Sequence, residues 1–299
     1  MKKILITGSN GLLGQKLVEL LINTTENQVI ATARGDNRLP FKDGYEYVRM
    51  DITNKEEVLA VIAQVKPEVI INTAAMTNVD MCESAKDDCW KQNVSAVEYL
   101  IEASAANNCF LLHVSTDFIF DGKNGPYKED AEANPISFYG WSKYAAEKLV
   151  IHSNIRWAIA RTVLVYGIAH DMSRTNIILW VKKSLEEGKN IKVVTDQWRT
   201  PTLAEDLAKG CYLIAEKEAE GIFNISGKDF LTPYEMAIMT ADFFNLDKSL
   251  IAQADSTTFT QPAKRPPRTG FDLSKAKEIL GYEPVSFTEG IAILAEQIK

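Results

Sequence analysis

Cysteine and histidine are scarce in this chain, with four cysteines (Cys82, Cys89, Cys109, Cys211) and three histidines (His113, His152, His170) among 299 residues. No pair stands in a CxxC or metal-ligand spacing, so the signatures of a zinc site, a redox CxxC and a disulfide framework are all missing. Reduced structural thiols and no metal are expected, with His113 lying inside a strand pattern. No apolar run approaches the roughly 20 residues needed to span a bilayer. The start, Met1-Lys2-Lys3, has the charge of a signal peptide, but Gly8-Ser9-Asn10-Gly11 interrupts its apolar stretch too early. Positive charge is not in excess either. Lys and Arg number 33 against 40 Asp and Glu, a formal net charge of −7, which argues against an extended nucleic-acid surface. A soluble cytoplasmic protein with no membrane or nucleic-acid partner is the expectation. The hydrophobic share of 46% is ordinary for a globular chain, and the length suits one large α/β domain or two modest ones.

The segment TGSNGLLG at residues 7–14 follows the apolar run Ile4-Leu5-Ile6 directly. It reads as a buried strand, a turn with Gly8, Gly11 and Gly14, and a helix carrying Leu12, Leu13, Leu17, Leu20 and Leu21. Glycines suit a tight turn in which a pyrophosphate approaches bare backbone at a helix N-terminus. The GxxGxxG spacing has a first gap one residue longer than GxGxxG, and a lone glycine triplet is weak evidence. Its placement between a strand and a helix points to a dinucleotide site.

Further apolar runs at 29–33, 45–49, 69–72, 110–115 and 157–162 alternate with helical patterns such as 55–65, 90–107 and 139–152. Strand–helix repetition with near-continuous apolar strands predicts a Rossmann-like, doubly wound parallel sheet of the α/β class. Beyond about Tyr166 the alternation turns irregular, with helices at 176–187, 203–216, 234–244 and 274–280 and short strands at 191–194 and 222–225. We expect a dinucleotide-binding domain over 1–166, its sheet open to later segments. A smaller C-terminal α/β substrate lobe over 167–299 would follow, with a soft boundary.

Tyr139 and Lys143, in YGWSK, stand four apart and so share one helix face. An ammonium beside a phenol lowers the phenol's pKa and makes an acid–base pair. Upstream, Ser115-Thr116-Asp117 ends a strand and offers a hydroxyl donor. At the end of the second strand stands Arg34, where an acidic residue would take the ribose hydroxyls of NAD. A guanidinium there suits the 2′-phosphate of NADP(H), with NAD(H) still admitted because Asp36 lies nearby.

Together, TGSNGLLG, NTAA (72–75), STD (115–117) and YGWSK resemble the extended short-chain dehydrogenase/reductase superfamily across essentially the whole chain. The resemblance implies Thr116, Tyr139 and Lys143 as the catalytic triad. It implies a cofactor wall of Gly8, Ser9, Asn10, Gly11, Leu12, Leu13, Gly14, Asp51, Ile52, Asn72, Ala74, Ala75 and Thr77. The segments NTAAMTNVDMCES, STDFIFDGKNGPYKED, RTVLVYG, DQWRTPT and RPPRTGFDLSKA are similar to stretches of the dTDP-4-dehydrorhamnose reductases, in the same order. That implies a dTDP-linked 4-keto-6-deoxy sugar as substrate, with Asp117, Phe118, Asn176, Gln197, Arg199 and Arg265 as its candidate contacts, and leaves room for a homodimer. The chain departs from that pattern at Phe118, Leu164, Arg199 and Thr200, where tyrosine, tryptophan and Gly-Ala are common. Two alternatives stay open: an epimerase or dehydratase that retains NAD, and a dinucleotide-binding regulatory subunit similar to that of methionine adenosyltransferase.

Overall fold

The computed structural model describes residues 1–171 and 175–298. The chain begins with β1 (Lys3–Thr7), α1 (Leu12–Thr24), β2 (Gln28–Ala33) and β3 (Tyr45–Arg49). It continues through α2 (Lys55–Val65), β4 (Val69–Asn72), α3 (Val79–Ser84), α4 (Lys86–Trp90) and α5 (Ala96–Asn107). Then come β5 (Phe110–Thr116), α6 (Phe138–Ile151), β6 (Trp157–Thr162) and β7 (Val165–Tyr166). The remainder holds α7 (Ile177–Glu186), β8 (Ile191–Val194), β9 (Thr202–Leu203), α8 (Ala204–Lys217), β10 (Gly221–Asn224), α9 (Pro233–Phe243), β11 (Ile251–Ala254) and α10 (Phe287–Gln297).

Seven strands form one parallel sheet in the order β10-β6-β5-β4-β1-β2-β3. Its central strands are buried on both faces, as their unbroken apolar runs require. Alternate residues point to opposite sides. Ile4, Ile6, Val69, Ile71 and Leu112 pack under α1 and α8, while Leu5, Ile70, Leu111 and Ile159 pack under α2, α5 and α6. From β1 the chain winds outward to β3, then returns to β4 and winds the other way. This reversal opens a crevice at the carboxyl ends of β1 and β4. Because β10 pairs with β6 and α8 packs on α1, the sheet draws residues from both sides of position 166.

Helices α7 and α9 build one small core with the β8–β11 pair, and together with α10 a second around Tyr166 of β7 and Leu203 of β9. Residues that can accept from the first turn set several helix starts: Asn54 for α2, Ser137 for α6 and the Thr232–Glu235 capping box for α9. All four cysteines are free and buried. Among the described residues no helix is long and apolar enough to cross a membrane.

The helix expected over 90–107 is interrupted. A π-helical turn, Lys91–Ser95, joins α4 to α5. The cause is Asn93, whose buried side chain accepts from the Met76 N–H (2.8 Å) and donates to Ser142 Oγ (3.0 Å). Turning a polar group inward at that level takes one extra residue per turn.

Candidate active site

A cavity of about 770 Å³ opens at the crevice between β1 and β4, and an adjoining pocket of about 220 Å³ extends it past Asp51 and Ile52. The glycine loop forms one wall. Gly8 has φ +68°, and a Cβ there would come within 2.9 Å of Ala74 backbone. A Cβ on Gly14 would sit 2.3 Å from the Gly8 carbonyl. Backbone therefore packs directly on backbone, which only glycine permits. The helix that follows has no side-chain cap at Gly11 and no acidic residue in its first turn, so its N–H groups face the cavity side unclaimed by carboxylates.

Most of the expected cofactor residues meet on these walls. Asn10, Gly11, Leu12, Leu13, Gly14, Arg34, Ala75 and Thr77 line the larger cavity, and Gly8, Asp51, Ile52 and Ala74 the smaller. The Asn10 side chain holds the loop after β2 by donating to Asp36 O (2.8 Å) and accepting from Arg38 N (3.0 Å). That loop places two guanidinium groups, Arg34 and Arg38, on the same wall. The Asp51 carboxyl lies below its usual range: burial raises it, but the Thr53 N–H and hydroxyl and the Arg34 charge outweigh that. Ser9 and Asn72 are off the cavity surface. Ser9 is fully buried, its hydroxyl without a hydrogen-bond partner among the described residues. Asn72 is buried within the sheet.

Thr116, Asp117, Phe118, Tyr139 and Lys143 come together on the opposite wall, supplied by the end of β5 and the first turns of α6. Thr116 Oγ1 donates to Asp117 Oδ1 (3.0 Å) and engages the Tyr139 phenol, whose ring meets Phe118 edge-on at 5.7 Å. The phenol is not lowered as the Tyr–Lys spacing suggests. Burial pushes it well above its ordinary range, Asp117 adds to the rise, and the Thr116 hydrogen bond only partly opposes it. Lys143 is brought down to about 8 by burial, against the pull of Glu147 and Cys89. Its Nζ donates to Val114 O (2.7 Å) and lies 3.0 Å from His113 Nε2. Asp117 is itself buried and raised, with Arg199 Nε 3.9 Å away and the Thr269 hydroxyl donating to it.

The residues expected to meet a sugar nucleotide are divided. Phe118 and Asn176 line the cavity, although the Asn176 side chain also caps α7 and donates to Gly167 O. Gln197, Arg199 and Arg265 stand outside the lining. Arg199 is buried and donates to the carbonyls of Trp198 and Pro266, both at 2.7 Å, with Gln197 Oε1 at 3.4 Å. Arg265 makes a two-pronged ion pair with Asp80 (2.7 and 3.2 Å). Sequence reasoning gave no site role to His113, behind Lys143, or to Arg38 and Ser115 on the cavity wall, the last with a buried hydroxyl that has no partner among the described residues. His113 and Ser115 are polar residues inside an apolar strand run, which is the one signal available, whereas Arg38 lies in the loop after β2. Leu164, a position noted for its departure, lines the cavity at φ +37°, an uncommon backbone state for a leucine.

A doubly wound parallel sheet, a glycine turn at its switch point and a Thr–Tyr–Lys wall across the cavity define an extended short-chain dehydrogenase/reductase. Within that class, the chain belongs to the family described as the RmlD substrate binding domain, whose model matches residues 1–299. It is 34% identical to a dTDP-4-dehydrorhamnose reductase of Aggregatibacter actinomycetemcomitans over 302 residues, covering 95% of each chain. It is 32% identical to methionine adenosyltransferase 2 subunit beta of Xenopus tropicalis, covering 97% of this chain and 86% of that one. A solved dTDP-4-dehydrorhamnose reductase from Bacillus anthracis, in complex with NADP, superposes with a TM-score of 0.85 at 26% identity and covers 99% of both chains.

Gly14→Ala tests the close approach. With backbone 2.3 Å from the new Cβ, the loop must shift. Dinucleotide affinity measured by calorimetry should fall at least about tenfold, or ~1.4 kcal/mol, in a protein that still unfolds cooperatively. Unchanged affinity would show that the loop does not shape the binding wall.

Proposed function

We propose that this protein is an NADPH-dependent reductase of a nucleotide-linked 4-keto-6-deoxy sugar, converting dTDP-4-dehydrorhamnose to dTDP-rhamnose. The observation that carries the reading is the Thr116–Tyr139–Lys143 wall facing the glycine loop across one cavity, with a phenol that burial keeps protonated at neutral pH. A carbonyl reduction needs a proton donor, and a raised pKa keeps the donor charged with its proton. The site suits a dinucleotide on its own chemistry: an uncapped helix N-terminus, glycines that admit no Cβ, and two guanidinium groups beyond β2. A bound nicotinamide supplies the hydride.

Tyr139 gives its phenolic proton to the carbonyl oxygen at C4, while the Thr116 hydroxyl turns its one proton from Asp117 to the same oxygen and steadies its developing charge. Lys143 serves the ribose hydroxyls and the phenol. Arg34 pairs with the 2′-phosphate, which selects NADPH over NADH. Phe118 and Leu164 lie on the wall that a sugar ring would touch. A retained-NAD dehydratase fits less well, because Asp117 is followed by Phe118 and its carboxyl is already engaged by Thr269 and Arg199.

The similarity to methionine adenosyltransferase 2 subunit beta supports a second reading, a dinucleotide-binding regulatory subunit. It gains from Arg199 and Arg265 being held by the chain's own carbonyls and Asp80. A screen of NADPH oxidation against dTDP-, UDP- and GDP-linked 4-keto sugars separates the two. Turnover with the dTDP sugar, inhibited by free dTDP, supports the reductase. Turnover only with UDP or GDP sugars would move the nucleotide assignment, and none at all would favour the regulator.

Tyr139→Phe should lower turnover by about 10²–10⁴-fold, the usual worth of general acid catalysis, with cofactor affinity near wild type. A loss below about tenfold would assign the proton to another group. Arg34→Ala should weaken NADPH about 10- to 150-fold, equivalent to roughly 1.5–3 kcal/mol, and NADH little, in titrations of cofactor fluorescence. Equal weakening of both would remove Arg34 from the 2′-phosphate.

A further inference from the structure

Three polar residues cross the apolar sheet at one level. Thr7 on β1, Asn72 on β4 and His113 on β5 are register partners in adjacent strands, all on the face covered by α6. Thr7 Oγ1 donates to Asn72 Oδ1 (2.6 Å), Asn72 Nδ2 lies 3.0 Å from His113 Nδ1, and His113 Nε2 lies 3.0 Å from Lys143 Nζ. All four side chains are buried, His113 at 1% exposure and Lys143 at 2%.

Counting donors fixes the protons along this ladder. The other neighbour of the Thr7 hydroxyl is a donor, the Ala74 N–H at 3.4 Å. The Thr7 proton therefore has Asn72 Oδ1 as its acceptor, and a flipped amide would leave it without one among the described residues. With Oδ1 turned to Thr7, the Asn72 amide nitrogen faces His113 Nδ1, which must accept. A neutral imidazole carries one proton, so it sits on Nε2 and points at Lys143. Burial and the Lys143 charge both hold His113 well below its ordinary pKa, so the neutral ring is the relevant form.

An amine accepts from that N–H through its lone pair and still donates to Val114 O. An ammonium has no lone pair and would oppose donor to donor. We propose that His113 is a positioning residue for Lys143, its Nε2–H seating the neutral amine against β5 and turning the ammonium out toward the cavity. The groups facing Lys143 from its surroundings pull the other way: Glu147 on α6 and Cys89 on α4 favour the ammonium. Glu147 is bound through both oxygens to Arg161 of β6 at 3.0 and 2.8 Å, which tempers its pull. Tyr139, on the same helix, is uncharged at neutral pH. Uptake of a proton at Lys143 thus moves its head from the sheet to the side where the phenol stands. The benefit to turnover rests on the reductase reading, whereas the ladder itself does not.

The test uses the whole cofactor-free protein and needs no substrate. Nitrogen-15 NMR of histidine-labelled protein should show His113 as the Nε2–H tautomer, and an Nδ1–H tautomer would overturn the proposal. In His113→Gln, an amide oxygen can turn to accept from the ammonium. The carbon-13 signal of the Lys143 side chain should then titrate about one pH unit higher than in wild type, the scale of a hydrogen bond to a charged group. A midpoint that stays or falls would overturn it. Should that variant fail to fold, the wild-type tautomer still decides. If turnover is present, the alkaline limb of its pH profile should move up with the titration. A wild type with no turnover on any sugar nucleotide would defeat the reductase reading and leave the NMR test standing.

Discussion

The contact of bare backbone on bare backbone between the glycine loop and the end of β4 is the constraint on which the site depends. Gly8 lies against Ala74, and Gly14 lies against the Gly8 carbonyl, at separations no Cβ would allow. These contacts draw the first helix down onto the switch point of the sheet and aim its free N–H groups along the cavity wall. They also set the distance between that wall and β5, whose end carries Thr116. Were the loop a residue's width further out, the helix dipole and the Thr–Tyr–Lys wall would no longer address one enclosed space.

Burial then decides the protonation states inside that space, and it acts oppositely on the two partners. Desolvation disfavours charge, so it raises the Tyr139 phenol and lowers the Lys143 ammonium toward about 8. In water, ammonium and phenol is the only stable pair at neutral pH. Here the amine form of Lys143 is within reach while the phenol keeps its proton. The phenol thereby keeps its proton, and the lysine becomes the group that responds to pH. Asp117 is governed by the same effect, since Arg199 and two hydroxyls only partly offset its burial.

Much of this was legible in the residues because strand and turn signals are local. The apolar runs 45–49, 69–72, 157–162 and 191–194 coincide with β3, β4, β6 and β8, each bounded by residues that break the pattern. The glycine turn and the Tyr139–Lys143 pair are likewise read from spacing, the family resemblance adds Thr116, and the structure brings all of them to one cavity. What escaped depends on partners distant in sequence. The π turn at 91–95 exists because Asn93 finds Met76 and Ser142, neither of which its own neighbourhood reveals. Spacing alone gives the Tyr139 shift the wrong sign, because it shows the neighbouring ammonium and conceals the burial. His113 looked like an ordinary strand residue, and only the register of three strands places it in line with Thr7 and Asn72. The last helix, Phe287–Gln297, is absent from the expected elements although Ser286 and Glu289 spell a capping box at its start.

The segment 263–269 joins these two levels. Arg265 clasps Asp80 on α3, the Pro266 carbonyl receives Arg199, and the Thr269 hydroxyl donates to Asp117 beside Thr116. One short stretch from the far end of the chain is thus fastened to Asp80 on α3 and to Asp117 beyond the end of β5. Such groups are costly to leave unpaired when buried, so the segment can leave only if other partners replace it. The Arg265–Asp80 pair is partly exposed, where water lowers the cost of separating it. Arg199, held almost fully buried by carbonyls, has no such freedom. Of the two arginines, Arg265 therefore holds the more exposed contact, while Arg199 ties Asp117 to the carbonyls of the 263–269 segment.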